Sequence, residues 1–366
     1  MEIQPQALRR NFQRIREAVS GSPAIIPMVK ADGYGLGMEQ VVQTVEPDDP
    51  LGYGVATAEE GIRLRKAGID RPVIVFSPLP PSSYELAVTH DLTVTISDVD
   101  SVERLIDAAS RAGVMARFQV EVDTGMGRAG FDWQRVSEWG PAVASFVSDK
   151  TSWEGCYTHF HSADTEDDRA TIAQWRRFTE ALGALEKGSG ELTHACNAAA
   201  SLRYPALQAD AVRPGIFLYG GGVGPGVTGP EEVARVRARV TLLRDVSEGT
   251  TLGYHTTYRS SGEERWATLG IGYGDGLPRI LGNRGSTLIS GRRVPIIGRI
   301  SMDMTVVDIT GVDGVVVGDT ATLIGTDGEE TITLDEVAEL AGTISYEILT
   351  GLTPRLPRVW VTCDNG

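Results

Sequence analysis

Ala24-Ile25-Ile26-Pro27-Met28-Val29-Lys30-Ala31-Asp32-Gly33-Tyr34-Gly35-Leu36-Gly37 reads as an apolar run that stops at a lysine and opens into a glycine-rich turn. A buried strand of this kind delivers one amine to the lip of a core, where an ammonium is poorly solvated and its pKa falls. An amine freed of its proton there can attack a carbonyl and form a Schiff base. The plainer alternative is a lysine that snorkels from the strand end into water, so Lys30 has to be judged by its surroundings.

The same strand-then-turn texture recurs. Short β-rich runs occupy Ile25 to Val29, Gly52 to Ala56, Val73 to Phe76, Leu92 to Ile96, Arg117 to Val122, Glu154 to His159, Leu192 to Cys196 and Val212 to Leu218. Between them lie amphipathic stretches such as Thr57 to Ala67, Val99 to Arg111 and Asp167 to Glu186, with apolar residues at three-four spacing. Eight β-then-α repeats predict an α/β fold with a (β/α)8 TIM-type barrel, whose chemistry gathers at the C-terminal ends of the strands. Polar side chains of the right kinds do fall there: Lys30, Asp123-Thr124-Gly125-Met126-Gly127-Arg128, His159-Phe160-His161, His194-Ala195-Cys196-Asn197 and Arg213-Pro214-Gly215-Ile216. Any one histidine could be a satisfied core residue, but five strand ends together weigh against that.

Gly220-Gly221-Gly222-Val223-Gly224-Pro225-Gly226 reads as a linker. Beyond it come short alternating strands with Gly, Pro and Asp turns: Ala238 to Leu243, Arg265 to Ile271, Thr287 to Ile289, Val294 to Ile297, Met304 to Ile309 and Thr320 to Ile324. A late helix from Leu334 to Leu340 and a last strand from Arg358 to Thr362 complete the expected organisation, a barrel domain over residues 1–228 and a smaller, mostly β domain over 229–366.

A net charge of −15 without any long basic run argues against nucleic acid or an anionic membrane and for a small-molecule partner. The three cysteines, Cys156, Cys196 and Cys363, are too scattered for a disulfide framework or a zinc site, so no metal is expected and a reducing cytoplasm fits. The N-terminal stretch has no apolar signal-like region, and no later segment has the length of a membrane span.

Pro27-Met28-Val29-Lys30-Ala31-Asp32-Gly33-Tyr34-Gly35 resembles the cofactor-lysine motif of the fold-type III pyridoxal-phosphate enzymes, and nearly the whole chain is similar to the alanine racemases. The motifs run in family order through Asp123 to Arg128, Thr158-His159-Phe160, His194 with Asn197, Arg213 to Ile216, Tyr254, Gly272-Tyr273-Gly274-Asp275-Gly276, Gly298-Arg299-Ile300-Ser301-Met302-Asp303 and Tyr346-Glu347-Ile348. The resemblance implies a homodimer that binds pyridoxal 5'-phosphate and racemises a small amino acid. Lys30 carries the cofactor and is one acid/base; Tyr254 of the partner subunit serves the opposite face. Two bases on opposite sides suit a reaction that removes a proton from one face and returns it on the other.

By the same resemblance Arg213 faces the cofactor's ring nitrogen, with His159 and His194 beside it. Tyr34, Asn197, Gly215, Ile216 and Tyr346 also hold the cofactor, and its phosphate meets the N–H groups of Gly215 and Ile216 and the hydroxyls of Tyr34 and Tyr346. Arg128 takes the substrate carboxylate together with the Met302 N–H. Asp164, Tyr273, Arg279, Arg299 and Tyr346 match the family's entry corridor.

Some positions depart from the family. Glu121 stands where many members carry a carbamylated lysine, and is expected to supply that negative charge to Arg128 directly or through water; an outward-facing strand glutamate is the alternative. Ala198 replaces a frequent serine at the phosphate. His161, His255 and Leu36 are also unusual at their positions and bear on substrate range and pH dependence. A racemase of serine or another small amino acid, and a pyridoxal-phosphate-binding protein without turnover, remain open beside alanine racemisation. A basic amino-acid decarboxylase lacks its cysteine and acidic substrate motifs here.

Overall fold

The computed structural model describes residues 1–19, 23–185 and 191–361. The sequence readings that include Glu186, Thr362 and Cys363 lie, at those residues, outside the described ones. Eight parallel strands make the expected barrel: β2 (Ala24–Ile25), β3 (Tyr53–Val55), β4 (Val73–Val75), β5 (Thr93–Ile96), β6 (Ala116–Asp123), β8 (Thr151–Tyr157), β9 (Leu192–Asn197) and β10 (Ala211–Arg213), with the short β7 (Phe131–Asp132) paired outside the ring on β6. The ring closes between the first and second of these strands, where Leu51 N–H donates to the Ile25 carbonyl, Gly54 N–H to Pro27 and Val29 N–H to Gly54.

The helices between strands obey local rules. In the helix Val99–Ala112, the Asp98 side chain accepts from Ser101 N–H at 2.7 Å at the start, and Gly113 at φ 70° ends it. Its buried residues Val102, Leu105, Ala108 and Ala109 fall on one stripe toward the sheet. The helices Ala58–Lys66 and Arg169–Ala184 likewise occupy the amphipathic stretches.

Three features correct the local reading. The run Val212 to Leu218 is a strand only as far as Arg213; Pro214 offers no N–H, and Ile216–Tyr219 winds into a fully buried 3-10 turn. A short, wholly apolar run does not distinguish a buried strand from a buried helix. The last barrel strand therefore has no long helix after it, and the N-terminal helix Pro5–Ala18 packs against Met38–Val45 and Ala198–Arg203 in its stead. The glycine-rich connection is also packed rather than free: Gly222 N–H donates to both carboxylate oxygens of Asp335, and a Cβ on Gly224 would lie 2.1 Å from the Asp164 carbonyl.

Beyond it, Ala234–Val246 bends between two partners, Glu264–Leu269 and Thr320–Asp327. Thr305–Asp308, Arg292–Ile297 and Ser286–Ile289 complete the circuit back to Thr320–Asp327, so this sheet also closes on itself. The first strand of the chain, β1 (Glu2–Ile3), joins this second sheet, antiparallel to Ala234–Val246 and parallel to Val359–Trp360. No helix among the described residues is long and apolar enough to cross a membrane.

Candidate active site

Lys30 stands where the first barrel strand gives out. The next four residues, Ala31, Asp32, Gly33 and Tyr34, all take left-handed backbone angles, with φ between 52° and 63°. Gly33 N–H donates to Val29 and Gly35 N–H to Ala31, closing one left-handed turn. For residues with a Cβ this conformation costs roughly 1–2 kcal/mol each, so the turn is held by its surroundings. The half-buried Lys30 ammonium has its pKa lowered by burial first and then by the cations Arg128 and Arg213, while Glu60 acts the other way. The direction is the one expected of a strand-end amine at the lip of a core.

Arg213, at the end of β10, is 4% exposed. It donates to His194 Nδ1 at 2.5 Å and to the carbonyls of Thr158 and Ala195 at 2.8 and 3.3 Å, and lies 3.4 Å from His159 Nδ1. The faces of Tyr157 and Phe76 sit 5.0 and 5.4 Å from its guanidinium carbon. No carboxylate pairs with it among the described residues, so carbonyls, an imidazole and ring faces hold a buried cation. Burial and then this cation push His159 down to about 3 and His194 well below the usual histidine range, so both rings are neutral at physiological pH.

The strand register explains the wall beside them. Glu121 on β6 pairs with Tyr157 on β8, and Tyr157 with His194 on β9, so three polar side chains face inward in a row. Tyr157 stacks on His194, with ring centroids 5.1 Å apart, and its hydroxyl bonds Glu121 Oε2 at 3.2 Å and Thr95 Oγ1 at 3.0 Å. Glu121 is therefore inward and 3% exposed, which removes the outward-facing alternative. It makes no hydrogen bond or ion pair with Arg128 among the described residues; its bonded partner is Tyr157. Burial raises its pKa, opposed by the fields of Arg128 and Arg213.

Arg213, His159, Glu121, Tyr157 and Phe76 line one cavity of about 290 Å³ at the C-terminal end of the barrel, together with Lys30, Tyr34, Arg128, Asn197, Ala198, Gly215 and Tyr346, while His194 packs on Tyr157 and Arg213 outside its lining. The Tyr34 hydroxyl lies so close over Gly215 that a Cβ there would sit 2.3 Å from it. Tyr34 stacks on Tyr219 at 4.4 Å and tilts toward Tyr346 at 5.9 Å. Tyr346, whose pKa burial and Asp164 push up to about 12, remains a protonated donor. Asn197 caps the helix Ala198–Arg203 by accepting from Ala200 N–H, and Ile216 opens the buried 3-10 turn behind Gly215. Arg128 follows a turn shaped by Asp123, whose carboxylate accepts from Gly125 and Gly127 N–H.

Tyr254, Tyr273, Arg279, Arg299 and Met302 do not line this cavity. They gather on the β-domain: Gly253 abuts the Arg299 backbone, Tyr273 N–H donates to Ser301 and Gly274 N–H to Met302. Tyr254 and Met302 are 63% and 51% exposed. His255 is exposed beside Tyr254 at φ 62°, His161 is exposed and bonded to Ser162, and Leu36 is buried in the core. Sequence reasoning missed Tyr157, Gln119, Phe76 and Glu60. Tyr157 and Gln119 were findable from the inward alternation of their strands, whereas Glu60 reaches Lys30's turn from a helix distant in sequence.

A planar ring with a phosphate arm fits such a cavity: an amine to hold it, a cation against its ring, and a glycine where any side chain would displace a tyrosine hydroxyl. The family profile described as alanine racemase, N-terminal domain, matches residues 3–222, and that of the C-terminal domain matches 233–360. The chain belongs to the alanine racemase family. The alanine racemase of Halothermothrix orenii is 37% identical over 362 residues, covering 98% of this chain and 95% of that protein. That of Carboxydothermus hydrogenoformans is 37% identical over 368 residues, covering 98% of each. Among solved structures, alanine racemase from Clostridium difficile 630 superposes with a TM-score of 0.93 at 29% identity, covering 100% of this chain and 96% of that chain. The enzyme from Streptomyces coelicolor A3(2) gives 0.92 at 33% identity, covering 98% and 97%. These relatives give no support to the serine or non-catalytic alternatives.

Proposed function

We propose that this chain is a pyridoxal-phosphate-dependent isomerase that interconverts L- and D-alanine as a cytoplasmic homodimer, with residues 1–228 as the cofactor domain and 229–366 completing the partner's site. The observation that carries the reading is the convergence of the Lys30 amine, the buried Arg213 cation and the Tyr34–Gly215 cradle on one barrel-mouth cavity. The exposure of Tyr254 and its position outside the cavity of its own chain support a role at a neighbouring subunit's site.

When bound, pyridoxal phosphate supplies the electron sink that makes the α-proton of an amino acid removable. Lys30 holds it, and its lowered pKa leaves more free amine to take or return a proton at one face. Tyr254 of the partner subunit does the same at the other face. Arg213 would face the ring nitrogen as a permanent cation, supported by neutral His194 and His159, and would disfavour protonation of that nitrogen. Tyr34, Tyr346, Asn197 and the N–H groups of Gly215 and Ile216 hold the phosphate end. Arg128 orients the substrate carboxylate with the Met302 N–H beside it, Glu121 supports it electrostatically, and Asp164, Tyr273, Arg279, Arg299 and Tyr346 restrict entry to small zwitterions. No nucleic acid or membrane partner is part of this reading.

Incubation with L-alanine in deuterated water tests it, following exchange at Cα and formation of D-alanine. Exchange with inversion is expected, abolished in Lys30→Ala and strongly reduced in Tyr254→Phe with cofactor still bound. Inversion of serine but not of alanine, or a sedimentation profile of an active monomer, would overturn it.

A further inference from the structure

One carboxylate joins the ends of the first two barrel strands. Glu60 Oε1 accepts from Ala31 N–H at 2.6 Å and Glu60 Oε2 from Ala56 N–H at 2.8 Å. Ala31 shares its peptide with Lys30 and begins the left-handed turn, and Ala56 immediately follows β3. Fixing the Ala31 N–H fixes the peptide plane on the C-terminal side of the Lys30 Cα. We propose that Glu60 is a positioning residue for Lys30, its carboxylate clamping the left-handed turn that aims the amine into the cavity.

Glu60 is well placed for this. It lies in the first turn of the helix Ala58–Lys66, where a negative charge is favoured, and its own N–H is capped by the Thr57 hydroxyl. A helix-start glutamate commonly bonds the N-cap's own N–H; this one instead bonds the residue before the cap and a residue of the left-handed turn. The same helix grips the outer side of the turn through Arg63, which pairs with Asp32 at 2.7 Å and with Glu39 at 2.8 Å. The charged groups that act on the Lys30 amine are Arg128 and Arg213, which disfavour its proton, and Glu60, which favours it. Glu60 thus orients the lysine and moderates the effect of two cations.

The inference rests on Lys30 being the cofactor amine, so Lys30→Ala serves as the reference. If that variant binds cofactor covalently and racemises alanine, the functional reading itself fails. With that reading intact, Glu60→Gln keeps the shape but sets an NH2 group against one of the two N–H donors. Expected are a loss of about ten- to a hundredfold in kcat with a smaller change in KM, weaker cofactor retention on dialysis, and an acid limb of the kcat profile, which reports the substrate complex where the lysine is free to act as a base, moved to lower pH, since a negative charge beside the lysine is gone. Glu60→Asp should restore the limb while recovering only part of kcat. A role confined to fold stability would lower Tm without moving the pH profile. Where a variant does not fold, amide exchange in the wild-type holoenzyme decides: slow exchange at Ala31 and Ala56 supports the clamp. Rapid exchange at both, or wild-type kinetics and pH profile in Glu60→Gln, overturns it.

Discussion

Arg213 donates to His194 Nδ1 at 2.5 Å, and His194 Nε2 lies 2.7 Å from Gln119 Oε1. A guanidinium has no acceptor to offer, so Nδ1 must accept and the single ring proton sits on Nε2, donated to Gln119. The arginine at the cavity is thereby locked to a neutral histidine and, through it, to an amide on the facing strand.

This lock has a pH signature. His159 and His194 both bind protons less readily folded than unfolded. Below about pH 6.5 the unfolded chain takes up more protons than the native one, so stability falls as pH falls, by about 1.4 kcal/mol per pH unit for each histidine, and for His159 down to about pH 3. Thermal unfolding from pH 7 to 5 should show this slope, and His159→Gln should reduce it by about half over this window. Nitrogen NMR should report His194 protonated only on Nε2 throughout; a titrating or Nδ1-protonated ring would contradict the assignment.

If Glu121 supports Arg128 as proposed, it gives up stability for substrate affinity. Its pKa is raised in the folded state, so its contribution to stability is lost as pH rises through that raised value. Glu121→Gln should raise Tm at pH 8 and leave it nearly unchanged at pH 4. The same change removes a negative charge near Arg128 without breaking a direct ion pair, and an effect on KM for alanine of about three- to tenfold is expected of a charge acting on Arg128 through space. Steady-state kinetics with both enantiomers check it; an unchanged KM would remove Glu121 from substrate binding.

Gly215 leaves no room for a side chain. The Cβ of Gly215→Ala would lie 2.3 Å from the Tyr34 hydroxyl, and the tyrosine is held by its stack on Tyr219 at 4.4 Å. Overpacking of this kind costs roughly 1–3 kcal/mol. The variant should lose about tenfold or more in cofactor affinity, read by titrating the apoprotein, and pairing it with Tyr34→Phe should not compound the loss fully.

Ala198 invites the reverse experiment. It is buried, lines the cavity and opens the helix Ala198–Arg203. Ala198→Ser would add a hydroxyl donor, and a hydrogen bond to a charged group contributes roughly 1.5–3 kcal/mol. Pyridoxal phosphate should then bind about tenfold tighter or better. An unchanged dissociation constant would place the phosphate away from this helix.

Sequence alone located the strands and the chemistry at their ends, because alternation, helical periodicity, caps and turn residues are local signals. Val99 to Arg111 was legible as a helix from its apolar stripe, and the structure bounds it with an Asp98 cap and Gly113. The motifs from Lys30 to Tyr346 named the family in the same way, residue by residue along the chain.

What the tertiary structure alone decided concerns neighbours distant in sequence. The N-terminal helix Pro5–Ala18 fills a place in the barrel's outer layer, and β1 belongs to the second sheet; neither pairing leaves a trace in local periodicity. The inward row of Glu121, Tyr157 and His194 depends on register between strands, which is set by packing of whole faces. Even the opening stretch was only half read: its glycines announced a turn, but Ala31, Asp32 and Tyr34 adopt left-handed angles that their own preferences oppose. Glu60 and Arg63, on the helix Ala58–Lys66 beyond the second barrel strand, accept from and pair with what that turn presents.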